Sequence, residues 1–327
     1  MRPRERRRAS LASIPRKMFP VLFSFASALC QADSGYNYRL DPVKVSDDTY
    51  VVQGSTQNFS IKNGGNILNT AFVVTGEGVV VWDTGPSKRY GDQLKTAIAK
   101  LTNQPVVRVY ISHHHPDHML GNQAFSDDPV IYALPQTRQA MLAEGEDLTA
   151  NLYRLVGDAM LGTSLALPME NALPGEFTVG GHTFVLHALK GHTAGDLMME
   201  DTTTGTIFVG DLVFNQRAPT TPHADIESWQ STLKYIEALE FSTMITGHGP
   251  VDDGRAAIKQ TSDYLTWLTQ TLQTRAQEGV GMAEVLLEPR PDRFRSLAEG
   301  RNEFQRSVTH LFPGYEQTVF NNLKKRN

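Results

Sequence analysis

Four stretches of this sequence place histidine or aspartate in a tight turn after an apolar run. They are Ser112-His113-His114-His115-Pro116-Asp117-His118, Lys190-Gly191-His192-Thr193, Val209-Gly210-Asp211 and Thr246-Gly247-His248-Gly249. Imidazole and carboxylate without thiolate are donors that suit Zn²⁺, and Fe or Mn can enter a carboxylate-rich position. The first stretch alone crowds five such side chains into six positions, which no apolar core would accept unpaired. The single cysteine is Cys30, and no Gly-x-Ser-x-Gly elbow occurs, so the chain offers no protein nucleophile to compete with a metal-bound hydroxide. The chemistry predicted is therefore hydrolysis, with hydroxide attacking a carbonyl. His182, His187 and His310 stand alone and read as packing, capping or surface residues. His114 is expected to point away from its neighbours. Two substrate-facing candidates lie in the Pro-rich loop after Asp211: Arg217, a fixed fork for an anion or else one half of a salt bridge, and His223.

Such residues need rigid supports, and strand ends supply them. Thr49–Val52, Ala71–Val74, Val79–Trp82, Val106–Ile111, Thr183–His187, Thr206–Val209 and Thr243–Thr246 read as strands from β-branched and apolar runs between turn residues. Tyr90, Leu94, Ile98 and Leu101 share one face of a predicted helix, and Trp229, Leu233, Ile236 and Leu239 share another. Residues 136–162 read as helical with a break near Gly145. Beyond Pro250 the strands stop: Ile258, Leu265, Leu268 and Leu272 mark a long helix ending near Gly279, and further helix surrounds Pro289, Pro291 and Pro313. The order predicts a layered α/β architecture with extra C-terminal helices.

The pattern H-x-H-x-D-H followed by distant His, Asp and His resembles the metallo-β-lactamase superfamily over about residues 45–255. That resemblance implies an αββα sandwich with two metals at one edge. It implies that His113, His115 and His192 hold one ion, that Asp117, His118 and His248 hold the second, and that Asp211 bridges them. Asp117 carries a catalytic role by the same resemblance, and Asp83, in Trp82-Asp83-Thr84-Gly85, is structural support. The chain as a whole reads as a signal peptide over 1–32, a catalytic domain over 36–250 and a helical extension over 251–327 packed on the same domain. Branches of β-lactamases with cysteine in the second site would need Cys where Asp211 stands, and those without it normally lack the bridging Asp. Glyoxalase II and acyl-homoserine-lactone lactonases share all seven ligands. Longer stretches, Asn63–Asn66, Asp83–Ser87, Gly121–Phe125, Arg217–Asp225 and Glu303–Ser307, are similar to the exported quinoprotein relay system zinc metallohydrolases and SoxH-like proteins. Two Zn²⁺ ions and a functional link to a periplasmic quinoprotein dehydrogenase are what that similarity implies. A metal-binding accessory factor without turnover is the alternative from another class.

Charge completes the reading. Residues 1–17 hold seven basic side chains and one acid, and 18–32 hold none, so a formal −4 for the 327-residue chain leaves −10 on the rest. A basic start before a short uncharged apolar run reads as a signal peptide, which predicts a periplasmic protein. That run is too short for an integral span. An acidic body argues against nucleic acid as partner and for a small-molecule substrate.

Overall fold

The valine-rich runs form strands buried on both faces, as a sheet covered on each side requires. The computed structural model describes residues 35–126 and 129–325; the segment 1–32 read as a signal peptide lies outside them. The first sheet comprises β1 (Val43–Ser46), β2 (Thr49–Val52), β3 (Thr70–Thr75), β4 (Gly78–Trp82), β5 (Val106–Tyr110), β6 (Val130–Ala133) and β7 (Glu170–Asn171), in chain order. Its first four strands pair antiparallel, and β4 to β7 pair parallel. The second comprises β8 (Gly175–Val179), β9 (His182–Leu189), β10 (Asp196–Asp201), β11 (Thr206–Phe214) and β12 (Thr243–His248), in reverse order across the sheet. There β8 to β11 are antiparallel, and β12 runs parallel to β11.

Strand alternation sorts side chains between layers. In β4, Val80 and Trp82 join Phe184, Leu197 and Phe208 in the core between the sheets. Val79 and Val81 face the other way, onto Tyr90, Leu94 and Ile98 of α1 (Lys88–Ala99) and Leu152 and Val156 of α3 (Pro135–Val156). The short α2 (Pro116–Met119) lies between those helices in sequence. On the far side, Ile207 and Val209 of β11 pack on Trp229 and Leu233 of α4 (Ile226–Glu237) and Ile258 and Leu265 of α5 (Arg255–Gln277). Ser87 caps α1 by accepting from the Tyr90 N–H, and Asp225 caps α4 by accepting from that of Ser228. The layers run helix, sheet, sheet, helix, the αββα sandwich expected.

After α6 (Met282–Val285), α7 (Gly300–Lys324) packs against α5, with Phe304, Val308 and Phe312 against Tyr264, Leu268 and Leu272. Two expectations are corrected, and one strand is added that the sequence did not announce. α3 has no break at Gly145; a Cβ there would sit 2.7 Å from Leu165 Cδ2, so the glycine serves close packing. Leu101 falls beyond α1 and is exposed. β10, whose Asp-Leu-Met-Met-Glu-Asp composition hides it as a strand, is central in the second sheet. Among the described residues, no helix is long and apolar enough to cross a membrane.

Candidate metal centre

Asp83 directly follows β4, held in the left-handed region at φ +57°. Its carboxylate accepts from Ser112 N–H and Ser112 Oγ–H, each at 2.8 Å, and from His118 Nδ1–H at 2.8 Å. The histidine run follows β5, and Pro116 starts α2, which puts Asp117 and His118 in its first turn. His192 lies in the turn between β9 and β10, fixed by Asp196, which accepts from Thr193 Oγ1 at 2.6 Å and Thr193 N–H at 3.0 Å. Burial raises the Asp196 carboxyl to about 7. The β11–β12 ladder is irregular between Phe208 and Gly210 and again before Phe214, and Asp211 sits within that irregularity. A bulge of this kind re-aims a side chain.

His113, His115, His192 and Asp211 form one group whose donor atoms lie within 4.8 Å of one another. His113 Nε2 is 3.0 Å from His115 Nδ1, and His192 Nε2 is 2.9 Å from the same atom. The tautomer of His113 follows from its partners. Ser112 Oγ donates to Asp83, so it accepts from His113 Nδ1–H at 2.9 Å and leaves Nε2 with a free lone pair. Burial, then the neighbouring His118, holds the His113 pKa well below the usual value; burial and adjacent imidazoles do the same for His115. Burial lowers His192 to about 3. Neutral rings with converging lone pairs are what a three-imidazole metal site needs.

Asp117, His118 and His248 form a second group, also within 4.8 Å. His248 Nδ1–H donates to the Ile67 carbonyl at 2.6 Å, which turns Nε2 inward. Asp211 lies between the groups: Oδ2 is 3.3 Å from His192 Nε2 and 3.2 Å from His248 Nε2, and Oδ1 is 3.2 Å from His118 Nε2. Burial alone would raise Asp211, but His248 and His118 outweigh it and hold the carboxyl well below its ordinary value. Burial would likewise lower His118, yet Asp211, Asp117 and Asp83 push it well above. His118 Nε2 and Asp211 Oδ1 are buried without a hydrogen bond among the described residues. Such orphaned donors, in an all-imidazole and carboxylate set, fit divalent metal.

All seven predicted ligands are thus brought together. The third group, His114, His115 and His223, reads differently. With Nδ1 of His115 turned to the first group, its Nε2–H donates to His223 Nδ1 at 2.7 Å. His223 then carries its proton on Nε2, 3.5 Å from Glu144 Oε2, and has no lone pair left for an ion. His114 is buried beside it, and burial followed by His223 lowers it to about 4.

Arg217 departs from the free fork that sequence allowed. It is 1% exposed, with Nη1 2.9 Å from His248 Nδ1 and Nη2 donating to Glu303 Oε1 at 3.4 Å. The salt-bridge alternative is the one found. Sequence reasoning gave no site role to Glu144, Asp196, Glu303 or Arg306; Glu144 and Glu303 meet His223 and Arg217 from far along the chain, whereas Asp196 and Arg306 pair with Thr193 and Glu303 three residues away. A cleft of about 90 Å³ opens over Asp117, Asp211 and His248, walled by Phe59, Ile67, Leu148 and Pro222 and reached by His223, Arg217 and Arg306.

A family model described as the Metallo-beta-lactamase superfamily matches residues 64–248, more than half of the chain. The Beta-lactamase-like protein 2 homolog of Caenorhabditis elegans is 25% identical over 199 residues, 60% of this chain and 60% of that protein. The chain therefore spans about 60% of the length of that relative. Metallo-beta-lactamase IND-1 of Chryseobacterium indologenes is 26% identical over 188 residues, 55% of this chain and 71% of that one. Among solved structures, the metallo-beta-lactamase from Pontibacter korlensis aligns with a TM-score of 0.58 at 21% identity, covering 69% of this chain and 99% of its own. That from Hirschia baltica aligns at 0.55 and 16% identity, covering 69% and 97%. These structures share the fold, and with the family model matched across every one of the seven clustered side chains, the chain belongs to the metallo-beta-lactamase superfamily of hydrolases.

Proposed function

We propose that this chain is an exported dinuclear zinc hydrolase that attacks a carbonyl in an ester, thioester, lactone or lactam, in the service of a periplasmic quinoprotein dehydrogenase system. The observation that carries the reading is the position of Asp211 between two groups of inward-facing ring nitrogens. Imidazoles are neutral ligands, so two cations side by side need carboxylates to offset their repulsion, and Asp117 and Asp211 supply them. Zn²⁺ suits this set, with Fe or Mn as occupants of the carboxylate-rich position; bound ions supply Lewis acidity and acidify a water. His113, His115 and His192 hold one ion; Asp117, His118 and His248 hold the other. Asp117 faces the cleft, where its carboxylate is placed to orient the attacking water and hold a proton. The small cleft and the acidic body favour a small molecule over nucleic acid.

Hydrolysis of thioester, lactone and cephalosporin reporters by the purified, metal-loaded protein tests the chemistry. Turnover of at least one class, abolished by chelation, is expected; inactivity on all three would favour a metal-binding accessory role. Export rests on the basic start and the uncharged run to Ala32. Residues 1–35 fused to a reporter that functions only in the periplasm should give signal, and a reporter retained in the cytoplasm would contradict export.

A further inference from the structure

Glu303 and Arg306 stand one turn apart on α7, outside the segment that matches the family model. The Glu303 carboxylate is fully buried and shared by two guanidinium groups. It accepts from Arg217 Nη2 at 3.4 Å and from Arg306 Nη1 at 3.2 Å. One carboxylate against two guanidinium groups leaves one positive charge uncancelled, and both arginines line the cleft over the metal groups.

The two arginines are not equivalent. Arg217 is buried, with Nη2 donating to Glu303 and Nη1 packed against the His248 ring. The Arg306 side chain is 43% exposed, and among the described residues only its Nη1 is engaged, leaving donors free at the cleft. A guanidinium with free donors pairs with a planar carboxylate through parallel charge-assisted hydrogen bonds. Phe59, Ile67 and Leu148 supply an apolar wall for the linking carbons.

We propose that Arg306 determines specificity: the substrate is a small acyl compound that carries a carboxylate remote from the scissile carbonyl. This rests on the hydrolase reading above. The carbonyl lies over Asp117 and Asp211, and the carboxylate is held by Arg306 from the C-terminal helix. Glu303 keeps Arg306 in place, and Arg217 continues to satisfy Glu303 when Arg306 is removed.

The test compares the S-phenyl thioesters of glutaric acid and glutaramic acid, which differ in charge but little in size. Wild type should prefer the acid about tenfold or more in kcat/KM, chiefly through KM, as expected for a charge-assisted pair. Arg306→Ala should bring that ratio close to one, and Arg306→Lys should keep part of it. Metal content and thermal unfolding confirm that each variant is folded and loaded. Equal constants for the pair in wild type, or an unchanged ratio in Arg306→Ala, would overturn the proposal. If neither thioester turns over, the hydrolase reading fails on this class, and calorimetric titration of metal-loaded protein with glutaramate and the neutral glutaric diamide decides the binding question. Tighter binding of glutaramate that is lost in Arg306→Ala supports the anion site; binding that Arg306→Ala leaves unchanged refutes it.

Discussion

The Asp83 carboxylate is buried, and burial raises its pKa against the lowering pull of His118 and Ser112. Three hydrogen bonds hold it in place and in turn fix the tautomers of His118 directly and His113 through Ser112. A partner that orients a metal-binding histidine typically governs affinity by about 10–100-fold. Asp83→Ala should therefore weaken metal binding by roughly that factor, measured by competition with a chromophoric chelator. A variant with wild-type affinity would show that His118 needs no such hold. Arg217→Ala acts through stability as well: it removes one of two partners of the fully buried Glu303, and about 3 kcal/mol of destabilisation is expected in thermal or denaturant unfolding. Asp83 was legible as a support from its Trp-Asp-Thr-Gly turn. The burial of Arg217 was not, because its carboxylate lies 86 residues further along the chain and no local spacing announces such a pair.

Strand ends deliver the site, and the sequence pattern placed most of them correctly because β-branched runs and glycine turns are local signals. Where tertiary context decides, the pattern misled. β10 is a strand despite helix-favouring Met and Glu, since β9 pairs along its whole length and β11 along its second half. Glycine at 145 suggested a break, yet α3 continues because packing against Leu165, not backbone freedom, selects it. The irregular join of β11 and β12 has a sharper consequence. A Cβ on Gly247 would stand 1.9 Å from Asp211 Oδ1 and 2.8 Å from the Gly210 carbonyl carbon. Gly247→Ala must therefore displace the carboxylate or the bulge, at a cost of about 1–3 kcal/mol. The second metal group should empty while the three-imidazole group stays occupied, read by elemental analysis beside the melting temperature. Full metal content in this variant would mean that Asp211 tolerates displacement.

Across the molecule, α7 covers the flank of α5 and completes the cleft with Arg306. Ending the chain at Glu299 would strip that cover from Tyr264, Leu268 and Leu272, and loss of soluble, cooperatively unfolding protein is expected. A truncated chain that unfolds with wild-type cooperativity would show that the helices are separable from the sandwich. The αββα layering and the seven converging side chains were legible because motif and periodicity agree, whereas the contribution of α7 depends on contacts across more than eighty residues. The account as a whole stands on two ions joined by Asp211. Elemental analysis of metal-replete wild type, His113→Ala and Asp211→Ala measures this directly. About two metals per wild-type chain are predicted, with about one retained in Asp211→Ala, hydrolysis reduced by orders of magnitude there, and the first site damaged instead in His113→Ala. About one tightly bound metal in wild type, or an Asp211→Ala variant with full occupancy and activity, would contradict it.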